Sequence, residues 1–96
     1  MEIQREETED KGKFHIEDDG NRIGLMTYRK SGDSVITIDH TEVDPKHRGE
    51  GLGEDLVAAG VKYARENNLK IVPTCPFAAK VINETPEFQD VLAEQI

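Results

Sequence analysis

Apolar and polar side chains alternate over the first half of the chain. Beyond residue 50 the apolar ones recur at helical spacing. In "KFHIED", Phe14 and Ile16 mark a short half-buried strand. "DGN" at 19–21 is a hairpin signal, and "RIGLMTYRK" returns from it with Ile23, Leu25 and Thr27 predicted on one face. After a second turn in "KSGDS", "VITIDHTEV" is the strongest strand pattern, being rich in β-branched residues. Strict alternation places its His40 on the face of Ile36 and Ile38. Asp44-Pro45 ends that strand, since proline has no N–H for a ladder. Leu52, Leu56, Ala59 or Gly60, and Tyr63 then form a helical stripe flanked by Val57, Val61 and Ala64, predicting a helix from Gly51 to about Asn67. Asn67-Asn68 suits a left-handed cap. "LKIVP" is a short buried-type strand, and the strand–helix–strand crossover predicts that it runs parallel to "VITIDHTEV". "FAAKVIN" predicts a second helix and "PEFQDVLAEQI" a short closing one. Residues 5–12 are charged and end at glycine, so residues 1–12 are expected to be mobile or to form an edge turn. The pattern predicts one α/β (α+β) domain over residues 1–96: an antiparallel meander, a crossover, then C-terminal helices.

Length and charge narrow the class. Ninety-six residues leave room for one modest core, and no apolar run approaches the ~20 residues of a membrane span. The opening "MEIQREETEDKGK" resembles neither a secretory signal nor a transit peptide, and a single cysteine suits a reducing compartment, so the expected location is cytoplasmic. A net charge of −8 argues against a nucleic-acid surface and weakly favours a cationic or amine-bearing partner. No His, Cys, Asp or Glu set has metal-ligand spacing, and no metal is expected.

Three glycines on alternate positions, Gly49, Gly51 and Gly53, stand between a basic run (Lys46, His47, Arg48) and the main helix. The first turn of a helix offers free N–H groups and the positive end of its dipole, so a side-chain-free approach to it suits a phosphate. Glu50, Glu54 and Asp55 complement the dipole and are expected to point away from a bound anion. A P-loop would need Gly-Lys-Ser/Thr, and a dinucleotide fingerprint would need G-x-G-x-x-G after a first strand; neither is present. A purely structural glycine turn remains the alternative.

Arg48-x-x-Gly51-x-Gly53, placed between a strand and the central helix, resembles the pyrophosphate motif of the GNAT superfamily of acetyl-coenzyme A-dependent N-acyltransferases. "DHTEV", "RGEGLGEDLV" and "KIVPTCPFA" further resemble the short GNAT-like group described as the YjdJ type. The resemblance implies a compact GNAT-like fold in which "LKIVP" splays from its neighbour to admit the pantetheine arm. It implies that Arg48, Gly49, Gly51 and Gly53, with backbone from Glu50 and Leu52, hold the diphosphate. N–H groups near Glu42 and Val43 would face the thioester, with Pro76 and Phe77 beside the coenzyme. Many relatives carry Asn-x-x-Ala-x-x-x-Tyr after the last core strand, the tyrosine protonating the leaving thiolate. Here the frame is Cys75-x-x-Ala78-x-x-x-Ile82, so the usual acid is absent.

Two residues are candidates for the chemistry. Cys75 can protonate the thiolate or accept the acyl group, against the alternative of a small buried hydrophobe. His40 can serve as general base, against the alternative of a histidine satisfied by a nearby carboxylate; His15 is expected at a strand surface. The expected partners are acetyl-coenzyme A and an amine on a small molecule, peptide or protein. No nucleic acid or membrane is expected to take part, and the chain is expected to be a monomer or homodimer. The competing function is a coenzyme A sensor without turnover.

Overall fold

The structure, a computed structural model, describes residues 2–93. Five strands form one sheet in sequence order: β1 (Ile3–Glu7), β2 (Lys11–Asp18), β3 (Asn21–Gly32), β4 (Val35–Val43) and β5 (Lys70–Pro73). The first four pair antiparallel; β5 joins β4 in parallel after the crossover through α1 (Leu52–Glu66). Helix α2 (Pro76–Glu84) follows, then a 3₁₀ segment, Pro86–Val91. The Asp19-Gly20 turn has φ of 51° and 80°, the two left-handed residues that a twist-matched two-residue hairpin needs.

Both helices pack on one face of the sheet, over Phe14, Met26, Tyr28, Ile36 and Ile38. α1 buries Leu52, Leu56, Val57, Gly60, Val61 and Ala64 there, and α2 adds Ala78, Val81 and Ile82. Burying each large aliphatic side chain contributes about 1.5–3 kcal/mol, so this single layer is the main source of stability. α1 ends as its asparagines predict: Asn68 is left-handed at φ 56°, and Leu69 N–H closes the cap on Ala64 O at 2.8 Å.

Four expectations are corrected. Where a mobile segment or an edge turn was expected, Ile3–Glu7 pairs with β2 as an edge strand. The buried face of β3 is Gly24, Met26 and Tyr28, not Leu25 and Thr27; Ile23 joins the core only because a bulge, with Ile16 opposite Gly24 and Glu17 opposite Arg22, makes it an extra residue. His15 is 4% exposed rather than at the surface, its ring held between Glu6 and Glu17 at 3.3 and 3.4 Å, with neither nitrogen in hydrogen-bonding geometry. The closing helix is a short 3₁₀ turn, after which Leu92 bridges Ile71 as a parallel extension of the sheet; the rest of that predicted helix, 94–96, lies outside the described residues.

The edge strand is fastened by one carboxylate. Glu7 accepts hydrogen bonds from the Tyr28 and Tyr63 hydroxyls, each at 2.9 Å, and pairs with Lys30 at 3.1 Å. Arg5 lies 4.1 Å over the Tyr63 ring and donates to the Tyr28 hydroxyl. Burial pushes the Glu7 carboxyl up, but Lys30 and the two phenols more than offset this and hold it below the ordinary carboxylate range. A lowered folded-state pKa makes this contribution complete above about pH 5 and lost as pH falls through the carboxylate range. Glu7→Gln is expected to cost about 1–2 kcal/mol in urea denaturation at pH 7, with the deficit shrinking below about pH 4. An unchanged midpoint at pH 7 would contradict this.

Candidate functional site

The strand that leads to the glycines loses its neighbour before it ends. Pairing of β4 with β5 stops at Ile38 opposite Pro73, and the Ile38 carbonyl accepts both the Thr74 and Cys75 N–H groups, at 3.0 and 3.1 Å. From Asp39 to Val43, β4 keeps β3 on one side and has no partner strand on the other. Asp44 N–H donates to Ile23 O on β3, so by alternation the Val43 N–H faces the open edge while that of Glu42 faces β3. The strands therefore part where the GNAT resemblance places the splay.

After a 3₁₀ turn at Pro45–His47, the chain passes through two left-handed glycines, Gly49 at φ 88° and Gly51 at φ 79°, into α1. A side chain at Gly51 would meet no atom within 4 Å, so glycine serves the left-handed backbone there, not a tight contact. Among the described residues, the N–H groups of Gly49, Gly51, Leu52, Gly53 and Glu54 meet no backbone or side-chain acceptor. They border a cavity of about 390 Å³ lined by the open end of β4 (Thr41, Glu42, Val43), the turn and Phe77. Free amides, a helix N-terminus and Arg48 give this cavity the local potential an anion needs despite the acidic chain. Phe77, 38% exposed, roofs the helix start: a Cβ on Gly53 would lie 2.6 Å from its Cζ.

The cavity brings together eight of the expected binding residues: Glu42, Val43, Arg48, Gly49, Gly51, Leu52, Gly53 and Phe77. Glu50 is turned back, its N–H on His47 O at 3.4 Å and its carboxylate on His47 Nδ1 at 3.1 Å, and neither it nor Pro76 lines the space. Glu54, expected to point away, does line it, as does Thr41, which the sequence did not single out.

His40 and Cys75 are not brought together. A bulge sets Thr27 opposite His40 and Tyr28 opposite Ile38, leaving Asp39 as the extra residue. Strict alternation therefore fails at Asp39, and His40 lies on the sheet face away from the helices, with Nε2 3.2 Å from Glu42 Oε2. Cys75 caps α2 on the helix side, is 7% exposed, and places Sγ 3.6 Å from Thr41 Oγ1. Ile82, in the position of the relatives' tyrosine, is wholly buried in the core.

A larger cavity of about 560 Å³ lies at the other end of the sheet, against Glu6, Lys11, Lys13, Thr27, Arg29 and Asp39. Glu6 pairs there with Lys13, and Asp39 with Thr27 and Arg29, whereas the Gly49, Gly51, Leu52, Gly53 and Glu54 amides have no partner among the described residues, so the glycine turn is the better site. No set of three or more metal-ligating side chains occurs among the described residues, and no described helix is long and apolar enough to cross a membrane.

The model for GCN5-related N-acetyl-transferases matches residues 13–91, spanning the sheet from β2 onward, the glycine turn and both helices. The chain belongs to that family. A GCN5-like protein from Staphylococcus aureus, solved by solution NMR, is 38% identical, with 99% of this chain and 90% of that one covered and a TM-score of 0.75. Protein NATD1 of Homo sapiens is 31% identical over 62 residues, 65% of this chain. The matched segment spans little more than half of that relative, 55% of its length. The aminoglycoside N-acetyltransferase AAC(6')-Iy in complex with CoA shares the fold alone: 18% identity over 92% of this chain and 71% of that one, TM-score 0.58. The mixed α/β sheet of the family is therefore the fold of this chain. Membership of the narrower YjdJ-type group stays an expectation from the motifs.

Two substitutions separate the roles of the glycines. Gly51→Ala is expected to lower stability by about 1–2 kcal/mol, the cost of a left-handed alanine, seen as a lower melting temperature. Gly53→Ala is expected to leave the fold intact but to move the Phe77 ring, read from its aromatic NMR resonances; an unmoved ring would refute the contact.

Proposed function

We propose that the chain is an N-acyltransferase that carries an acetyl group from acetyl-coenzyme A to an amine. The observation that carries this is the run of free amides at Gly49, Gly51, Leu52, Gly53 and Glu54, opening on a cavity continuous with the unpaired end of β4. A diphosphate on those amides directs the pantetheine arm toward the open edge, where the Val43 N–H is available to the thioester carbonyl. Family membership and a related fold solved with CoA support the same donor.

The opposite placement of His40 and Cys75 fits a reaction between two partners that meet at an open edge. The thioester approaches on the helix side, where Cys75 lies behind Thr41. The amine approaches across the other face, on which no described helix packs, and there His40, oriented by Glu42, can take its proton. That face needs no second domain to be reached, so the acceptor can be as large as a peptide or protein.

Isothermal titration tests the donor site. Coenzyme A is expected to bind, pantetheine without the diphosphate to bind at least tenfold more weakly, and Arg48→Ala to weaken coenzyme A several-fold. Equal affinity for the two ligands would refute the diphosphate site. Turnover with acetyl-coenzyme A and a panel of amines tests the reaction, and His40→Ala is expected to lower kcat/KM at neutral pH by about 10²-fold. Binding without turnover of any amine would favour the sensor, a function that the buried Ile82 in the place of tyrosine makes the specific rival.

A further inference from the structure

An N-acyltransferase without the usual tyrosine still has to protonate a departing thiolate, and the cavity wall contains one hydroxyl placed to do so. We propose that Thr41 is the catalytic acid and that Cys75 is the positioning residue that supplies its proton; this rests on the acyl-transfer function proposed above. Thr41 stands on the unpaired end of β4, directly before Glu42 and Val43, the two residues expected at the thioester, and lines the same cavity as the free amides. The Asp39 bulge makes this possible. It sets Thr41 opposite Met26, which is wholly buried, and so turns its side chain to the helix side that the coenzyme enters. Without the bulge, alternation would put Thr41 on the outer face and His40 on the inner one.

Behind the hydroxyl lies Cys75, whose thiol donates to Thr41 Oγ1 at 3.6 Å, within the range of a sulfur hydrogen bond. With its oxygen accepting from Cys75, Thr41 has its own O–H free to donate into the cavity. The thiol itself is 7% exposed and does not line the cavity, so it reaches the coenzyme only through Thr41. Its backbone is fixed by the Ile38 carbonyl and by Pro76 at the start of α2.

The amine nitrogen forms a bond to the acyl carbon, and the C–S bond breaks with its electron pair on the coenzyme sulfur. That sulfur takes the Thr41 hydroxyl proton, and Thr41 Oγ1 takes the Cys75 S–H proton, leaving a thiolate at Cys75. The proton lost by the amine goes to His40 and then to water. Water entering the vacated cavity returns one to Cys75 by way of Thr41. The net change is thioester plus amine to amide plus thiol.

Titration of the wild-type chain with coenzyme A comes first, since absence of binding would overturn the donor site and the relay together. Turnover is then followed as thiol release from acetyl-coenzyme A, with hydroxylamine as a small acceptor that makes no demand on amine recognition. Thr41→Val keeps the shape and removes the hydroxyl. It is expected to lower kcat about 10²-fold with the KM for acetyl-coenzyme A within about twofold, and to abolish the fall of kcat at alkaline pH that marks a needed acid. Thr41→Ser is expected to restore kcat to within about threefold, and Cys75→Ala to lower it about tenfold and displace the alkaline limb. Wild-type kcat in Thr41→Val, or a Cys75→Ala profile superimposable on wild type, would overturn the relay while leaving coenzyme binding intact. Wild-type binding without any thiol release would overturn it too and would leave the sensor.

Discussion

A single carbonyl oxygen, that of Ile38, decides how this sheet ends. It accepts two successive amides, Thr74 and Cys75, and so consumes the last bonds by which β5 could follow β4. Pro73 has no N–H with which to continue the ladder, and Pro76 starts α2 three residues later. The two strands must diverge there. The exposed edge of β4, the position of Cys75 and the mouth of the cavity all follow from that divergence.

An acidic chain can hold an anion because the site is built from amides. Backbone N–H groups at a helix start carry fixed partial charges within contact distance, whereas the net charge of −8 is spread over a surface and screened beyond about 8–10 Å of salt solution. Of the carboxylates near the turn, Glu50 is drawn back onto His47, and Asp44 accepts the Lys46 amide and so shapes the approach. Glu54 alone among the acidic residues of α1 stays at the rim.

The parts of this architecture legible in the sequence are those set by neighbours along the chain. The glycine turn, the helix that follows, its asparagine cap and the parallel strand are fixed by local backbone preference and by a period of 3.6 or two. Hence five of the residues that line the cavity, Arg48, Gly49, Gly51, Leu52 and Gly53, could be named in advance. The two bulges could not. Each inserts one residue, Ile23 or Asp39, whose effect is to exchange the faces of everything beyond it, and nothing in "RIGLMT" or "TIDHTE" sets that residue apart. His40 and Thr41 changed places for this reason. β1 escaped because charged side chains are normal at a sheet edge, and the hydroxyls that anchor Glu7 come from Tyr28 and from Tyr63, the latter 56 positions away.

That separation has a kinetic side. The clasp at Glu7 joins the first strand to the far end of α1, so loop closure over half the chain precedes its reward. Among the described strands β1 pairs only with β2, and that distant clasp fastens it, so it is expected to detach before the inner strands. Its amide hydrogens would then exchange through partial opening, ahead of those in the β3–β4 hairpin.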